Sequence, residues 1–172
     1  MKEPIKLKTP LSEDDIKKLK VGDVISLSGD ILAGRDAVLP KIVKLAEEKK
    51  LENLGINLKG SVIFHTAVSP AGVGPTSSNK LEIEESFIPL SEEGVKIHLG
   101  KGAISPKTVK GLKEKNAVFV IIPPVTALLD DQTLGKEVIA FPELGMEALH
   151  LLKVNNYQAI IAAANGESIY DR

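Results

Sequence analysis

The order of apolar and polar positions predicts strands that alternate with helices through the middle of the chain. The predicted strands are short β-branched runs or segments in which apolar and polar residues alternate. They are IKLKTP (5–10), VISLSGDILAG (24–34), SVIFHTAV (61–68), VKIHLGKG (95–102), AVFVII (117–122), EVIAFP (137–142), HLLKV (150–154) and YQAIIAAA (157–164). The AVFVII run is apolar throughout, which predicts a strand that is covered on both faces.

Three segments, 11–20, 36–50 and 105–116, carry the signals of helices. The first and third begin with a hydroxyl cap, at Ser12 and Ser105, and the third has proline at its first helical position. The second has apolar residues at helical spacing, a proline in its first turn and a basic end that suits the helix dipole.

The end of the chain carries a hairpin signal, because Asn165–Gly166 is a favoured two-residue turn between extended segments. Strands that alternate with helices, followed by a hairpin, predict an α/β fold with a mixed sheet. A three-layer β/β/α arrangement fits this pattern, and residues 1–172 are expected to form one domain.

Composition and charge narrow the classes of protein. Of the 172 residues, 43% are hydrophobic and 26% are charged, and the net charge is -1, which is typical of a soluble globular chain. No block of like charge suggests a nucleic-acid or anionic-membrane surface. The longest apolar run is interrupted by two prolines and is too short to span a bilayer, and no leader pattern opens the chain. The expected compartment is the cytoplasm.

Cysteine is absent from the sequence. The chain therefore cannot form a disulfide, offer a thiolate nucleophile or ligate an iron–sulfur cluster through its own thiolates.

Polar chemistry is concentrated in three loops that directly follow predicted strands, where α/β domains commonly place functional residues. Arg35 and Asp36 follow the first, the segment GPTSSNK (74–80) follows the second, and Lys101 lies between two glycines after the third. Each has a simpler structural interpretation: Asp36 could cap a helix, the hydroxyls could cap the next helix, and Lys101 could lie in an exposed turn. Taken together, however, these groups predict a site for a small polyanion, with the arginine able to bind a carboxylate through two hydrogen bonds.

Other polar residues are weaker candidates. His65 could line the site, although a core histidine fits its place in a strand better, and His98 and His150 have no metal-ligand spacing. Glu143 and Glu147 have helical spacing that could suggest a metal pair, but acids in the first turn of a helix are the more economical explanation.

Four motifs occur in an order and spacing that resembles the beta subunit of two-subunit class I fumarate hydratases. The L-tartrate dehydratase beta subunit and the C-terminal domain of single-chain iron–sulfur fumarases are similar, and the resemblance extends from Leu11 to the end. The motifs are GDILAGRDA, VGPTSS, HLGKGAIS and FPELGMEAL. The resemblance implies a swivelling β/β/α domain that closes over a cluster-bearing partner.

The family resemblance also implies the activity, a hydro-lyase reaction that interconverts malate and fumarate. It implies a 4Fe-4S cluster carried by the alpha subunit, with three cysteine ligands and one iron open to the dicarboxylate substrate, and a higher oligomer of alpha/beta pairs. L-Tartrate dehydratase, or a dehydratase of a related 2-hydroxy dicarboxylate, is the alternative within the class. A stand-alone swivelling domain that binds small anions is the alternative outside it.

Residue by residue, the resemblance assigns Thr76 to the position at which the carbon-bound proton is removed. Arg35 matches the family's carboxylate clamp, and Ser77, Lys80 and Lys101 are expected to bind substrate. Lys80 stands where the family commonly has arginine, so it keeps the charge but lacks the forked donor group.

Two further departures concern the substrate. The family often has a histidine and basic residues after the RDA motif, whereas this chain has VLPK, and the loop after His65 lacks the usual Gly-Pro pair and is shortened.

Overall fold

The computed structural model describes residues 3–69, 72–73, 80–122 and 132–170. Its helices are α1 (Glu13–Lys17), α2 (Leu39–Glu47), α3 (Lys80–Glu92) and α4 (Pro106–Glu114), with two 3-10 turns at Leu51–Leu54 and Pro142–Glu147. Its strands are β1 (Ile5–Lys8), β2 (Val24–Gly34), β3 (Val62–His65), β4 (Val68–Ser69), β5 (Gly72–Val73), β6 (Ile97–Gly100), β7 (Val118–Ile121), β8 (Thr133–Ala140), β9 (Leu149–Ala164) and β10 (Glu167–Ser168).

The main sheet is mixed, as the sequence predicts. Strands β1, β2, β3, β6 and β7 are parallel neighbours in that order. Strand β9 is antiparallel to both β7 and β2, so the pairings β2–β3–β6–β7–β9–β2 form a closed circuit. Strands β8 and β10 pair with β9 on either side, and β4 and β5 form a separate two-stranded sheet.

Strand β9 differs from its sequence prediction, because the two expected strands HLLKV and YQAIIAAA form one strand of 16 residues. This length allows β9 to pair with β2 from His150 to Ile160, while β8 pairs with it towards Leu149 and β7 towards Ala164. Strand β2 is also continuous, but its register on β9 shifts between Leu27 and Gly29, and Gly29 has a φ of 110°. A β-carbon at Gly29 would collide with Thr9, so both the space and the backbone there require glycine.

The interior has the three layers of a β/β/α arrangement. Successive residues of a strand point to opposite faces, so Val62 and Phe64 of β3 join the core enclosed by the strands, whereas Ile63 packs with α2. On the helix side, α3 and α4 cover β7 and the end of β9. The enclosed core is aliphatic apart from Phe64 and the fully buried Tyr157, whose rings meet edge-on with centroids 6.4 Å apart.

Local signals correctly predict several element ends. Ser12 and Asp15 form the reciprocal capping box of α1, with the Ser12 hydroxyl accepting from the Asp15 N–H and the Asp15 carboxylate accepting from the Ser12 N–H. Ser105 caps α4, and Asn165 and Gly166 both have positive φ, as the β9–β10 hairpin turn requires.

The start of α2 is wrong in the sequence prediction. The helix begins at Leu39 rather than near Asp36, and its N-cap is Val38, which makes no side-chain capping hydrogen bond. The N–H groups of Val38 and Leu39 instead donate to the Arg35 carbonyl, forming a turn between β2 and the helix. Asp36 is therefore not the helix cap, although the proline does lie in the first turn as predicted.

No helix in the described part of the chain is long and apolar enough to cross a bilayer.

Candidate active site at one edge of the sheet

The carboxyl ends of β2, β3 and β6 lie side by side at one edge of the main sheet. The register pairs Gly34 with His65 and Phe64 with Leu99, so these parallel strands end at the same level. Parallel strands direct the residues that follow them towards the same edge. The loops after these three strands therefore begin as neighbours.

Three polar residues lie one position beyond these strand ends. They are Arg35 after β2, Thr66 after β3 and Lys101 after β6, so the two cations leave the sheet from the strands on either side of β3. Because neighbouring strands are about 4.8 Å apart, the ends of β2 and β6, with β3 between them, are separated by roughly 10 Å. Two of the cations expected from the sequence thus follow strand ends at the same edge of the sheet, on either side of β3.

Arg35 is held by an acidic partner that the sequence analysis did not assign to it. Its Nε donates to Oε1 of Glu147 at 2.6 Å, and its Nη2 donates to the same oxygen. The carboxylate of Asp36 lies farther away, with Oδ1 4.0 Å from Nε. Hydrogen bonding to Glu147 is the main cause that raises the pKa of Arg35 above its ordinary value, which partial burial opposes.

The antiparallel pairing of β2 with β9 explains how two residues so distant in sequence meet. Ala33 is paired with His150, so the chain leaving β2 passes the chain entering β9 in the opposite direction. Arg35, two residues after Ala33, therefore faces Glu147, three residues before His150.

The helical spacing of Glu143 and Glu147 does not put them on one face. Gly145, with φ 60° and ψ -122°, breaks the short turn between them. Glu143 is in the first turn, as expected, but Glu147 ends the turn. Its Oε2 is buried, and no residue in the described ranges forms a hydrogen bond with it. Within the described ranges, no group of three or more metal-ligating side chains is placed to hold a metal ion.

The remaining predicted site residues differ in how much the structure says of them. The Lys101 side chain is exposed, and it makes no ion pair or hydrogen bond with any residue that the structure describes. Lys80 is the first residue of α3, where the backbone is described. Thr76 and Ser77 lie outside the described residues, so their assignments stay predictions.

Behind the strand ends lies a buried hydrogen-bond chain that the sequence analysis missed. The Nε2 of His65 is 2.9 Å from Nδ1 of His98, and the Nε2 of His98 is 2.8 Å from the hydroxyl of Ser91 in α3. The ring of Phe87 stacks on His98 with centroids 4.5 Å apart. His65 is thus a core histidine, which confirms the simpler interpretation of that residue. His65 and His98 both point to the helix side of adjacent strands, and this shared face was the signal in the sequence that could have indicated their contact.

The geometry determines the tautomers of both rings. The Ser91 hydroxyl is 2.7 Å from the carbonyl of Phe87, which can only accept, so the hydroxyl proton lies between them. The Ser91 oxygen must then accept from Nε2–H of His98, whose Nδ1 in turn accepts from Nε2–H of His65. The Nδ1 of His65 is therefore an unprotonated acceptor, and it is buried without a partner in the described part of the chain.

Burial keeps both rings neutral. It lowers the pKa of His98 to about 3, because the charged ring cannot be solvated there. The pKa of His65 is lowered well below its usual range, first by burial and then by the neighbouring His98. The positive charge at this edge is consequently carried by lysine and arginine. His150 is also structural, since its Nδ1 donates to the carbonyl of Ala148 at 3.0 Å.

An α/β domain with cations beyond the ends of β2 and β6, on either side of β3, is the arrangement expected of a small-anion site, and comparison with known proteins specifies the family. A family model described as Fumarase C-terminus matches residues 1–172. The chain therefore belongs to the fumarase C-terminal family, which confirms the resemblance found in the motifs.

Individual relatives agree with this assignment. L(+)-tartrate dehydratase subunit beta of Escherichia coli strain K12 is 31% identical over 169 residues, which cover 91% of this chain and 81% of that protein. A Methanocaldococcus jannaschii protein provisionally named L(+)-tartrate dehydratase subunit beta is 33% identical over 176 residues, covering 94% of this chain and 88% of that protein. A Geobacillus stearothermophilus protein provisionally named fumarate hydratase class I is 27% identical over 180 residues, covering 97% of this chain but 34% of that protein.

The tautomers can be tested by long-range ¹H–¹⁵N NMR of the imidazole rings. We expect His65 and His98 each to carry the proton on Nε2 at neutral pH. Ser91→Ala removes the acceptor that selects the His98 tautomer, so this variant should show a mixture of tautomers for both rings. A proton on Nδ1 of His65 in the unsubstituted protein would contradict the deduced order of hydrogen bonds from His65 through His98 to Ser91.

The buried histidines also predict a loss of stability in acid. Between pH 6.5 and about 3 the unfolded chain protonates His98 but the folded chain does not, so the free energy of unfolding falls as pH falls. The loss is about 1.4 kcal/mol per pH unit for a histidine fully within this window. Urea unfolding at pH 7 and pH 5 should therefore show about 2 kcal/mol more acid destabilisation in the unsubstituted chain than in His98→Asn. Equal losses in the two proteins would mean that His98 takes up a proton in the folded state.

Proposed function

We propose that this chain is the beta subunit of a two-chain hydro-lyase that acts on a 2-hydroxy dicarboxylate. The observation that carries this proposal is the placement of Arg35 and Lys101 directly after β2 and β6, the strands on either side of β3, in a chain of the fumarase C-terminal family. A dicarboxylate presents two negative groups, and an arginine paired with a lysine offers a charged donor to each.

For the substrate, we propose L(+)-tartrate first and malate or fumarate second. The motif resemblance alone favoured fumarate hydratase. We place tartrate first because two relatives named for tartrate dehydratase are 31% and 33% identical, and each is covered for more than four fifths of its length. The relative named for fumarate hydratase is 27% identical.

The proposed roles follow from the chemistry of each side chain. Arg35 binds one substrate carboxylate, and Lys101 binds a second carboxylate or the hydroxyl group, with Ser77 and Lys80 contributing further contacts. Thr76 takes part in removing the carbon-bound proton beside the leaving hydroxyl. A threonine hydroxyl is a weak base, so this role requires a neighbouring group that accepts its proton.

The iron–sulfur cluster that the family resemblance implies does not fit the residues of this chain. The sequence contains no cysteine, the usual ligand of such clusters. We therefore assign the cluster to a partner alpha subunit and derive no step of the reaction through it. The proposed enzyme is accordingly heteromeric, and this chain contributes one wall of the substrate site.

The two-chain proposal is tested by reconstitution. We expect the purified chain alone to be inactive, and the chain mixed anaerobically with its cluster-bearing alpha subunit to dehydrate L(+)-tartrate in preference to malate. Activity on malate alone would select the fumarate hydratase alternative. Tight dicarboxylate binding by the isolated chain, with no activity after the alpha subunit is added, would support the stand-alone anion-binding domain and contradict the enzyme proposal.

The assigned roles predict that substitution of Arg35 changes mainly KM of the reconstituted enzyme, whereas substitution of Thr76 changes mainly kcat. Arg35→Ala should raise KM by roughly 30- to 100-fold, because it removes charge-assisted hydrogen bonds to the substrate carboxylate. Arg35→Lys keeps the positive charge but loses the forked donor group, so its KM should lie between those of Arg35→Ala and the unsubstituted enzyme. Thr76→Ala should instead lower kcat by about 100-fold or more with a smaller change in KM. Wild-type kcat in Thr76→Ala would exclude the proton-transfer role.

A further inference from the structure

We propose that Glu147 is a positioning residue that holds the guanidinium of Arg35 in the orientation that receives a substrate carboxylate. This inference rests on the proposed function, because it requires Arg35 to bind the substrate. Glu147 itself acts through Arg35 and takes no part in the chemical step.

The hydrogen-bond geometry supports a positioning role. One carboxylate oxygen, Oε1, accepts from both Nε and Nη2 of Arg35, which are two donors on the same edge of a rigid planar group. Two bonds from one edge to a single oxygen determine the direction in which that edge points as well as its distance from the carboxylate. A long arginine side chain otherwise loses much rotational freedom when a ligand binds, and this contact removes part of that freedom beforehand.

Glu147 is itself well anchored. The next two residues, Ala148 and Leu149, are buried, with exposed fractions of 1% and 0%. The Ala148 N–H donates to the carbonyl of Gly145 at 3.0 Å, closing the turn that Glu147 ends. Leu149 then opens β9, whose pairing with β2 sets the distance to Arg35. The carboxylate is thus presented to Arg35 from a fixed backbone.

The second carboxylate oxygen distinguishes this ion pair from a purely stabilising one. Oε2 of Glu147 is buried and has no hydrogen-bond partner among the residues that the structure describes. In the ion pair at Glu13, by contrast, one oxygen binds Lys96 and the other binds Asn116. A buried acceptor without a partner is unfavourable for folding and calls for a functional explanation. Placement of Oε1 against the Nε edge of Arg35 is such an explanation.

The negative charge of Glu147 and the orientation that it gives to Arg35 have opposite effects on an incoming anion, and this difference makes the proposal testable. The negative charges of Glu147 and Asp36 repel a dicarboxylate, whereas a correctly oriented Arg35 attracts it. Glu147→Gln removes the charge and retains an acceptor of the same shape. Glu147→Ala removes both the charge and the acceptor.

The experiment measures KM and kcat of the reconstituted two-chain enzyme for L(+)-tartrate and malate. We expect Glu147→Ala to raise KM about tenfold on the better substrate with a smaller change in kcat, because the guanidinium is no longer oriented before binding. Glu147→Gln should stay within about threefold of the unsubstituted KM. Glu143→Ala, in the same turn but exposed and outside the site, is the matched control and should leave KM unchanged.

Each other outcome overturns the proposal in a recognisable way. A fall in KM for both the Ala and Gln variants would show that repulsion, not orientation, is the main effect of Glu147. An unchanged KM in Glu147→Ala, together with a raised KM in Arg35→Ala, would reject the positioning role and leave the proposed function standing. An unchanged KM in Arg35→Ala would reject the assignment of Arg35 and, with it, both proposals. Thermal unfolding of every variant identifies any whose kinetics reflect misfolding, and Glu147→Gln keeps the side-chain shape where Glu147→Ala is unstable.

Discussion

The antiparallel pairing between β2 and β9 is the contact on which the rest of the structure depends. It closes the circuit of strands that encloses the aliphatic core, and it determines which residues meet at the functional edge. A shift of this register by one residue would turn the inward side chains of β9 outwards. It would also move Glu147 away from Arg35. The same β2–β9 register is therefore required both for the enclosed core and for the contact between Glu147 and Arg35.

The parallel strands supply the second element of the site. Because β2, β3 and β6 end at one level, loops that are far apart in sequence begin side by side, with cations on the outer two. The histidines behind this edge stay neutral, since their hydrogen-bond chain ends at Ser91 and burial disfavours their charged forms. They fill the space between the sheet and α3 without adding positive charge. Charge at the edge is thereby limited to exposed or half-buried side chains that an anion can approach.

The features that the sequence predicted well are those with local causes. The capping box at Ser12, the cap at Ser105 and the Asn165–Gly166 turn each depend on residues within a few positions of one another. The start of α2 was wrong because the Arg35 carbonyl accepts from two N–H groups and forms a turn first.

The missed contacts depend on register instead. Arg35 meets Glu147 across 112 positions and His65 meets His98 across 33, and neither distance follows from spacing in the sequence. The motifs did identify Arg35 and Lys101 as candidates, because loops after parallel strands can be located from strand patterns. Which acidic residue would pair with Arg35 required the sheet pairing. The roles of Thr76, Ser77 and Lys80 rest on the family motif and stay predictions.

The most direct test of the account is a structure of this chain with its alpha subunit and a bound 2-hydroxy dicarboxylate. The account predicts that a substrate carboxylate lies about 3 Å from the guanidinium nitrogens of Arg35, while Oε1 of Glu147 remains on the Nε edge. A substrate held entirely by the alpha subunit, with Arg35 beyond hydrogen-bonding distance of every substrate oxygen, would contradict it.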